Sequence, residues 1–224
     1  MPPSENVLVK ISIDKKLDLD VTDFLITEHM SEVPSYTVTA LNKDSSLSTF
    51  VGKACNITFS QVVYSETEPR TFAGIIMSVE RVLDASGSPS LKFRVQPSLA
   101  ILGLSFHSAI YQKATSLDIL KEVLKRNGLA RIKIKGTKPT FKRETVIQFN
   151  ENDLTFCKRI LAEEGLAFYY HDGTSAETLM LHDVSKPFPK SFNQIEFTDA
   201  EHSDVTRVLA DELHLTRSLV PDKV

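Results

Sequence analysis

The feature that most constrains this chain is a change of period along it. In its first part, apolar side chains recur at every second position; from about Tyr111 onward they recur at the spacing of a helix face. Val7, Val9, Ile11 and Ile13 alternate with other residues, as do Tyr36, Val38 and Ala40. Cys55, Ile57 and Phe59 repeat the pattern, and so do Leu91, Phe93 and Val95. The run from Thr71 to Val82 is long and rich in β-branched residues. Turn-forming groups separate these runs: Lys43-Asp44-Ser45-Ser46, Glu68-Pro69 and Ser86-Gly87-Ser88-Pro89. About six short strands with no helical stretch between them predict a small barrel or a sandwich.

The second part reads differently. Thr115-Ser116-Leu117-Asp118 has the spacing of a capping box. It opens a helix whose apolar positions Leu117, Leu120, Val123 and Leu124 share one face. Lys125 and Arg126 suit its negative end, and Gly128 supplies the stop. Two strands follow, Arg131 to Lys135 and Glu144 to Phe149. A second helix is expected from about Asn152 to Glu164, with Leu154, Cys157 and Leu161 on its buried stripe, Phe156 and Ile160 alongside, and Gly165 at its end. Leu166 to His171 and Thr178 to His182 then read as a hairpin around Asp172-Gly173. Further on, Ile195 to Phe197 and Val205 to Leu219 look β-like. One internal echo stands out, because Asp20-Val21-Thr22 through Glu28 and Asp204-Val205-Thr206 through Glu212 both read D-V-T-x-x-L-x-x-E. Coincidence between two amphipathic strands and duplication of a barrel both account for it.

Composition narrows the chemistry. With 42% apolar and 25% charged residues, the chain is globular in character, not disordered. Two cysteines cannot build a disulfide framework or a four-thiolate zinc site. A net charge of -3 argues against nucleic-acid binding by overall charge. No apolar run approaches the ~20 residues that span a bilayer, and the first residues lack the basic and apolar regions of a secretory signal. The chain carries no G-x-S-x-G elbow, P-loop, H-E-x-x-H or C-x-x-C. His171 and His182 look paired, but the expected hairpin sets His182 opposite Ala167. At ~3.4 Å per residue, that leaves the two imidazoles more than about 13 Å apart. Ligands of one zinc lie ~2 Å from it, so no shared metal is expected. Glu163 and Glu164 are helix neighbours that point ~100° apart and are expected to face solvent. Cys157 falls on an apolar helix face and reads as core, and Cys55 has no basic partner in sequence. The expectation is therefore no catalytic residue, no metal site and no cofactor.

One charged feature is concentrated. Arg131 to Arg143, R-I-K-I-K-G-T-K-P-T-F-K-R, carries six basic residues and no acid: Arg131, Lys133, Lys135, Lys138, Lys142 and Arg143. Arg131, Lys133 and Lys135 share a strand face, with Ile132 and Ile134 on the other. A solvated strand face and a docking patch for an acidic partner are both open here. Nucleic acid fits poorly, because no aromatic stacking platform is interleaved.

A family resemblance enters through an ordered set of motifs. Val146-Ile147-Gln148-Phe149-Asn150-Glu151-Asn152-Asp153-Leu154-Thr155-Phe156 resembles the "VQYxESDLxF" segment of the VgrG family. These are spike proteins of the bacterial type VI secretion system, related to phage tail hub and late control gene D proteins. Cys157 through His171 is similar to the family's "RLxEEEGxxYYF" run, and Phe72-Ala73-Gly74-Ile75 to its "F-x-G-V" strand. Val95-Gln96-Pro97 with Leu99 and Leu102 is similar to "LRPxLxxL". Ile110-Tyr111-Gln112 followed by Ser116-Leu117-Asp118-Ile119-Leu120 is similar to "RIFQxxSVxDIL". Asn152 stands where the family has Ser, and Ala109 where it has Arg.

The resemblance implies a mainly β fold with an α+β insertion. Residues 1–108 would form a first hub-like barrel, and 109–185 a helix-strand-strand-helix-hairpin unit. Residues 186–224 would begin a second, incomplete barrel, of which the D-V-T echo would be the trace. It also implies a function without turnover: the structural base of a trimeric cell-puncturing spike, adapting a hexameric tube to a threefold needle. The implied partners are two further copies in the full-length homotrimer, a hexameric, Hcp-like tube protein, and effectors; nucleic acid is not among them. Such a chain would be made in the cytoplasm and expelled by a contractile apparatus without a signal peptide. A phage or phage-like baseplate hub is the alternative of the same class. An effector-binding adaptor or a hydrolase-associated module is the alternative of another.

Overall fold

A computed structural model describes residues 7–41, 47–61, 70–83, 89–170, 177–188, 196–197 and 209–210. The alternating first part forms six strands: β1 (Val7–Ile13), β2 (Leu17–Thr27), β3 (Ser35–Leu41), β4 (Ala54–Gln61), β5 (Arg70–Leu83) and β6 (Pro89–Gln96). They close into a barrel in the order β1-β2-β3-β6-β5-β4, every neighbour antiparallel. Of the two architectures open from sequence, the barrel is the one realised. Closure requires strands that bend, and two bulges supply the bend. One falls between Val21 and Asp23 on β2, the other between Ile76 and Ser78 on β5. The first sits at Thr22 of the D-V-T motif, whose hydroxyl donates to the Thr39 carbonyl at 3.1 Å.

The inward side chains are those the alternation points to. Val9, Ile11, Ile13, Tyr36, Val38, Ala40, Cys55, Ile57, Leu91, Phe93 and Val95 are buried in one core. Phe59 is only partly buried, where its ring meets Phe72 edge-on at 5.5 Å. Phe50, just after a 3-10 turn at Leu47–Thr49, is buried with its ring edge-on to Phe93 at 5.5 Å. Gly74 lets β5 approach β6: a Cβ there would lie 2.6 Å from the Gln96 carbonyl oxygen.

After β6 the chain enters a second core. A 3-10 segment, Ser98–Leu104, contributes Leu99 and Leu102 to it. The elements that follow are β7 (Phe106–Ala114), α1 (Ser116–Arg126), β8 (Lys133–Gly136), β9 (Arg143–Asn152), α2 (Asp153–Glu163), β10 (Leu166–Tyr170) and β11 (Thr178–Asp183). β7 is an addition to the strands read from sequence, and it pairs antiparallel with β9 as a two-stranded ribbon. The other strands form a sheet ordered β10-β11-β8, with β11 antiparallel to β10 and parallel to β8.

The capping box of α1 forms. The Thr115 hydroxyl accepts from the Asp118 amide at 3.1 Å, and the Asp118 carboxylate accepts from the Thr115 amide at 3.2 Å. The buried stripe of α1 is rotated from the expected one: Ile119, Leu120, Val123 and Leu124 lie in the core, and Leu117 is only partly buried. In α2 the stripe centres on Phe156, Cys157, Ile160 and Leu161, with Leu154 at its edge. Gly128 (φ 72°) and Gly165 (φ 66°) end the helices in left-handed backbone.

The barrel and the α+β unit meet through Val33, which packs on the second core, and through polar contacts. The Ser31 amide donates to the Phe168 carbonyl at 2.8 Å, and Lys158 pairs with Glu32. Within the α+β unit, the amide and hydroxyl of Ser98 donate to the two carboxylate oxygens of Glu177 at 2.9 and 2.6 Å. Beyond β11, β12 (Glu196–Phe197) and β13 (Leu209–Ala210) pair in parallel. The Asp172-Gly173 turn, His171, the Asp204-Val205-Thr206 echo and the loop turns at 43–46, 68–69 and 86–88 lie outside the described residues.

The Gly74 contact yields a prediction. Gly74→Ala should destabilise the barrel by about 1–3 kcal/mol, the usual cost of forcing atoms into a packed site. Urea unfolding of the variant should show the lowered midpoint, and an unchanged midpoint would mean β5 and β6 can part without cost.

Candidate functional site

The motif that carries the family resemblance closes on one buried carboxylate. Asn152 caps α2, its side-chain oxygen accepting from the Thr155 amide at 2.7 Å. That places Asp153 at the first helical position, where the helix dipole favours an anion. Its side chain has no exposure at all. Oδ1 accepts from Arg126 Nη2 at 2.7 Å and Gln148 Nε2 at 2.8 Å, and lies 3.0 Å from His107 Nδ1. Oδ2 accepts from Asn127 Nδ2 at 2.6 Å, and the Asp153 amide donates to the Ser105 carbonyl at 3.1 Å. Arg126 also reaches the Tyr111 hydroxyl at 3.2 Å.

Burial pushes the Asp153 carboxyl upward. The bonds from Gln148, Asn127 and Arg126, with the Arg126 charge, outweigh it and hold the group below the usual aspartate range. These bonds join the end of the 3-10 segment, β7, the end of α1 and β9 to the start of α2. Sequence reasoning did not find this network. The signal was present in Gln148 and Asp153, five residues apart in the motif, but nothing in spacing brings Arg126 and Asn127 to them.

The basic segment divides. Lys133 and Lys135 are exposed on β8, at the edge of the three-stranded sheet, while Ile132 is buried and Ile134 half-buried behind them. This is the expected alternation, although the strand begins at Lys133, where pairing with Thr178 starts. Gly136 ends it at φ 92°; a Cβ there would lie 2.1 Å from the Leu181 carbonyl oxygen. Lys138 and Lys142 are exposed beyond the bend. Arg131 is exposed at the mouth of a cleft of about 280 Å³ between barrel and α+β unit, which Lys15, Asn56 and Glu177 also line. Burial raises the Glu177 carboxyl above its usual range, against the Ser98 bonds and the Arg131 charge.

Arg143 stands apart from the other five. Its guanidinium pairs with Glu163, lies 3.3 Å from Glu164 Oε1 and donates to the Ile160 carbonyl at 3.3 Å. The two glutamates expected to face solvent thus converge on one cation, because the C-terminus of α2 lies over the start of β9. Glu164 is mostly covered, and the bond to Arg143, then that to Arg159, keeps Glu163 below its usual range. Arg159 extends the chain of pairs, reaching Glu163 at 3.1 Å and Glu151 at 2.5 Å.

The remaining candidates are spoken for. Burial pushes the Cys55 thiol up to about 12, with Glu177 adding to it. Burial likewise pushes Cys157 up to about 12, with Asp153 adding. Neither is a thiolate at neutral pH. His182 lies opposite Ala167 as expected, its Nε2 3.0 Å from the Lys186 carbonyl and its ring 3.9 Å from that of Phe188. Among the described residues, no cluster of His, Cys, Asp or Glu could hold a metal ion, and no helix is long and apolar enough to cross a membrane.

These features match a known family. The profile of the phage tail baseplate hub (GPD) family covers residues 27–224. The chain belongs to this family. As a hub protein it is similar to the actin cross-linking toxin VgrG1 of Vibrio cholerae, with 26% identity over 166 residues, 64% of this chain and 15% of that one. It is similar to the type VI secretion system spike protein VgrG5 of Pseudomonas aeruginosa, with 30% identity over 100 residues, 43% of this chain and 12% of that one. The hub chain thus spans a small fraction of these relatives' lengths. Its fold is shared with the E. coli c3393 protein, a type VI secretion component described as structurally similar to T4 tail proteins gp27 and gp5. That likeness has TM-score 0.60 at 20% identity, covering 90% of this chain and 51% of that one. A tail protein from Neisseria meningitidis MC58 aligns with TM-score 0.58 at 16% identity, covering 88% and 56%.

The Asp153 network predicts a pH-dependent stability. A carboxyl whose folded pKa lies below the unfolded value of ~3.9 stabilises fully above that value and loses its effect as pH falls through the folded pKa. Asp153→Asn should therefore cost about 2–3 kcal/mol at pH 7, a figure kept modest because Arg126 is partly open to water. The gap from the unsubstituted chain should shrink in acid, once the native carboxyl is itself protonated. Urea unfolding at both pH values measures it; an equal deficit in acid would place the effect in shape, not charge.

Proposed function

We propose that this chain is the structural base of a trimeric cell-puncturing spike, adapting a hexameric tube to a threefold needle without chemical turnover. The observation that carries the reading is membership of the baseplate hub family over residues 27–224, in a chain whose first part closes as a six-stranded barrel. A threefold body meets a sixfold tube when each subunit supplies two similar barrels, giving six quasi-equivalent units. Residues 186–224 are proposed as the start of that second barrel. The D-V-T motif supports this assignment: at Asp20–Thr22 it carries a bulge that bends β2, and Asp204–Thr206 repeats those residues. The buried, ion-paired state of the polar groups that could act chemically supports a role that is geometric. Expulsion through a contractile apparatus, with effectors as cargo, follows from the same reading. The Neisseria tail protein and a prophage tail protein from Shewanella oneidensis, which share the fold, favour a baseplate hub of a phage-like particle as the sister reading.

The proposed docking patch comprises Arg131, Lys133, Lys135, Lys138 and Lys142, with Arg143 as its structural anchor. Among the described residues, the five are free of ion pairs, unlike Arg126, Arg143, Lys158 and Arg159. An edge strand studded with lysines repels other sheet edges while attracting an acidic surface.

Native mass spectrometry of the full chain mixed with hexameric tube rings tests the reading. Three chains per ring are expected. Lys133→Glu with Lys135→Glu should weaken that complex about tenfold or more, with a loss that shrinks as salt rises. Absence of any complex with the rings, alongside a one-to-one complex with a single effector, would replace the hub with an adaptor.

A further inference from the structure

A two-stranded ribbon laid on helices keeps one face outward. In the β7–β9 ribbon the inner face carries Tyr111, Val146 and Gln148, all buried. The outer face carries Phe106, Ile110, Ile147 and Phe149, which are 63%, 67%, 56% and 80% exposed. Ile110 and Ile147 are direct cross-strand partners. A bulge between His107 and Ala109, with Asn150 at φ 44°, holds the far end, where the Asn150 amide donates to the Ser108 hydroxyl at 3.1 Å. Leu104, just ahead of β7, is 72% exposed and extends the apolar run.

We infer that this face is the seam between copies of this chain. Together the open side chains present on the order of 500–600 Å² of apolar surface, at the top of what a monomer's largest patch usually shows. A standard interface takes ~800 Å² from each partner, so the face supplies most of one side. Its centre is aromatic and aliphatic without charge, the composition that distinguishes the cores of homo-oligomer interfaces. Its flanks carry both signs, with Lys113 exposed on β7 and Glu144 exposed on β9, which suits a near-neutral copy of the same chain. A lipid surface or a nucleic acid would call for a basic rim. The inference deepens the hub reading and rests on it only for the number of copies.

Sedimentation equilibrium of the full chain over a wide concentration range is the test. The unsubstituted chain should associate, and Ile147→Asp with Phe149→Asp should raise its dissociation constant at least a hundredfold. Lys92→Glu, on the outside of the barrel, should leave it unchanged. Because all the substituted side chains are exposed, circular dichroism should match throughout. Independently, Ile110→Cys should form disulfides between copies under mild oxidation, since Cys55 and Cys157 are buried. A chain that stays monomeric at every concentration without such cross-links overturns the seam, as does association that survives the double substitution. Protection of the thiol introduced by Ile110→Cys only when tube rings are added would assign the face to the tube instead. A dimer abolished by the double substitution keeps the seam and removes the threefold hub; a trimer abolished by it keeps both.

Discussion

The α+β unit depends on keeping one carboxylate charged in the dark. Asp153 joins the end of the 3-10 segment through Ser105, β7 through His107, the end of α1 through Arg126 and Asn127, and β9 through Gln148. Those groups belong to separate elements, and without it Gln148 and Asn127 would each keep only a backbone carbonyl as acceptor for the side-chain amide. An apolar side chain of similar volume could fill the space, but it would not say which end of α1 should meet which end of α2. The helix N-terminus that bears Asp153 contributes as well, because its amide ends face the anion. The network therefore works as a registration device, with the apolar core of Phe156, Ile160, Leu120 and Val123 supplying the bulk of the stabilisation around it.

The barrel holds itself by other means. Its interior is aliphatic and aromatic, and its shape comes from bulges at Thr22 and near Met77 and from the bare backbone of Gly74. Within the second body, Glu177 sits between Ser98 and the Arg131 side of the cleft that faces the barrel. The apolar cores of the two bodies touch at Val33, which reaches from between β2 and β3 to the second core. Their relative placement rests on that contact together with the Ser31–Phe168 hydrogen bond and the Glu32–Lys158 pair.

Much of this was legible from residue order, for identifiable reasons. Strand faces followed from period-two alternation, since each inward residue of the barrel meets the same core. The caps of both helices followed from short-range chemistry at Thr115, Asp118 and Asn152. What escaped were features set by distant neighbours. The α1 stripe turned toward Ile119 because 3.6-residue periodicity fixes a face only to within a residue. β7 escaped because its outward positions are apolar where a surface strand is normally polar, so the alternation that marks a half-buried strand is weak there. Glu163 and Glu164 escaped because adjacency on a helix says nothing about a long guanidinium reaching between them from β9.

That same weakness of alternation bears on how such a body works. A strand pair reads as amphipathic only if one face meets water in the finished assembly. Phe106, Ile110, Ile147 and Phe149 leave the outer face of the β7–β9 ribbon with large apolar side chains at its centre, a pattern closer to that of strands covered on both sides. The basic edge of β8 lies on the same α+β unit, but on a different sheet and with the opposite character. A part that transmits force needs one contact that stays closed and another that recognises a neighbour. Apolar burial suits the first, because it is indifferent to salt; exposed lysines suit the second, because their attraction acts at range and can be screened. Under the hub reading, the two surfaces would divide the work within one small unit, the ribbon face for copies of the chain and the β8 edge for the tube.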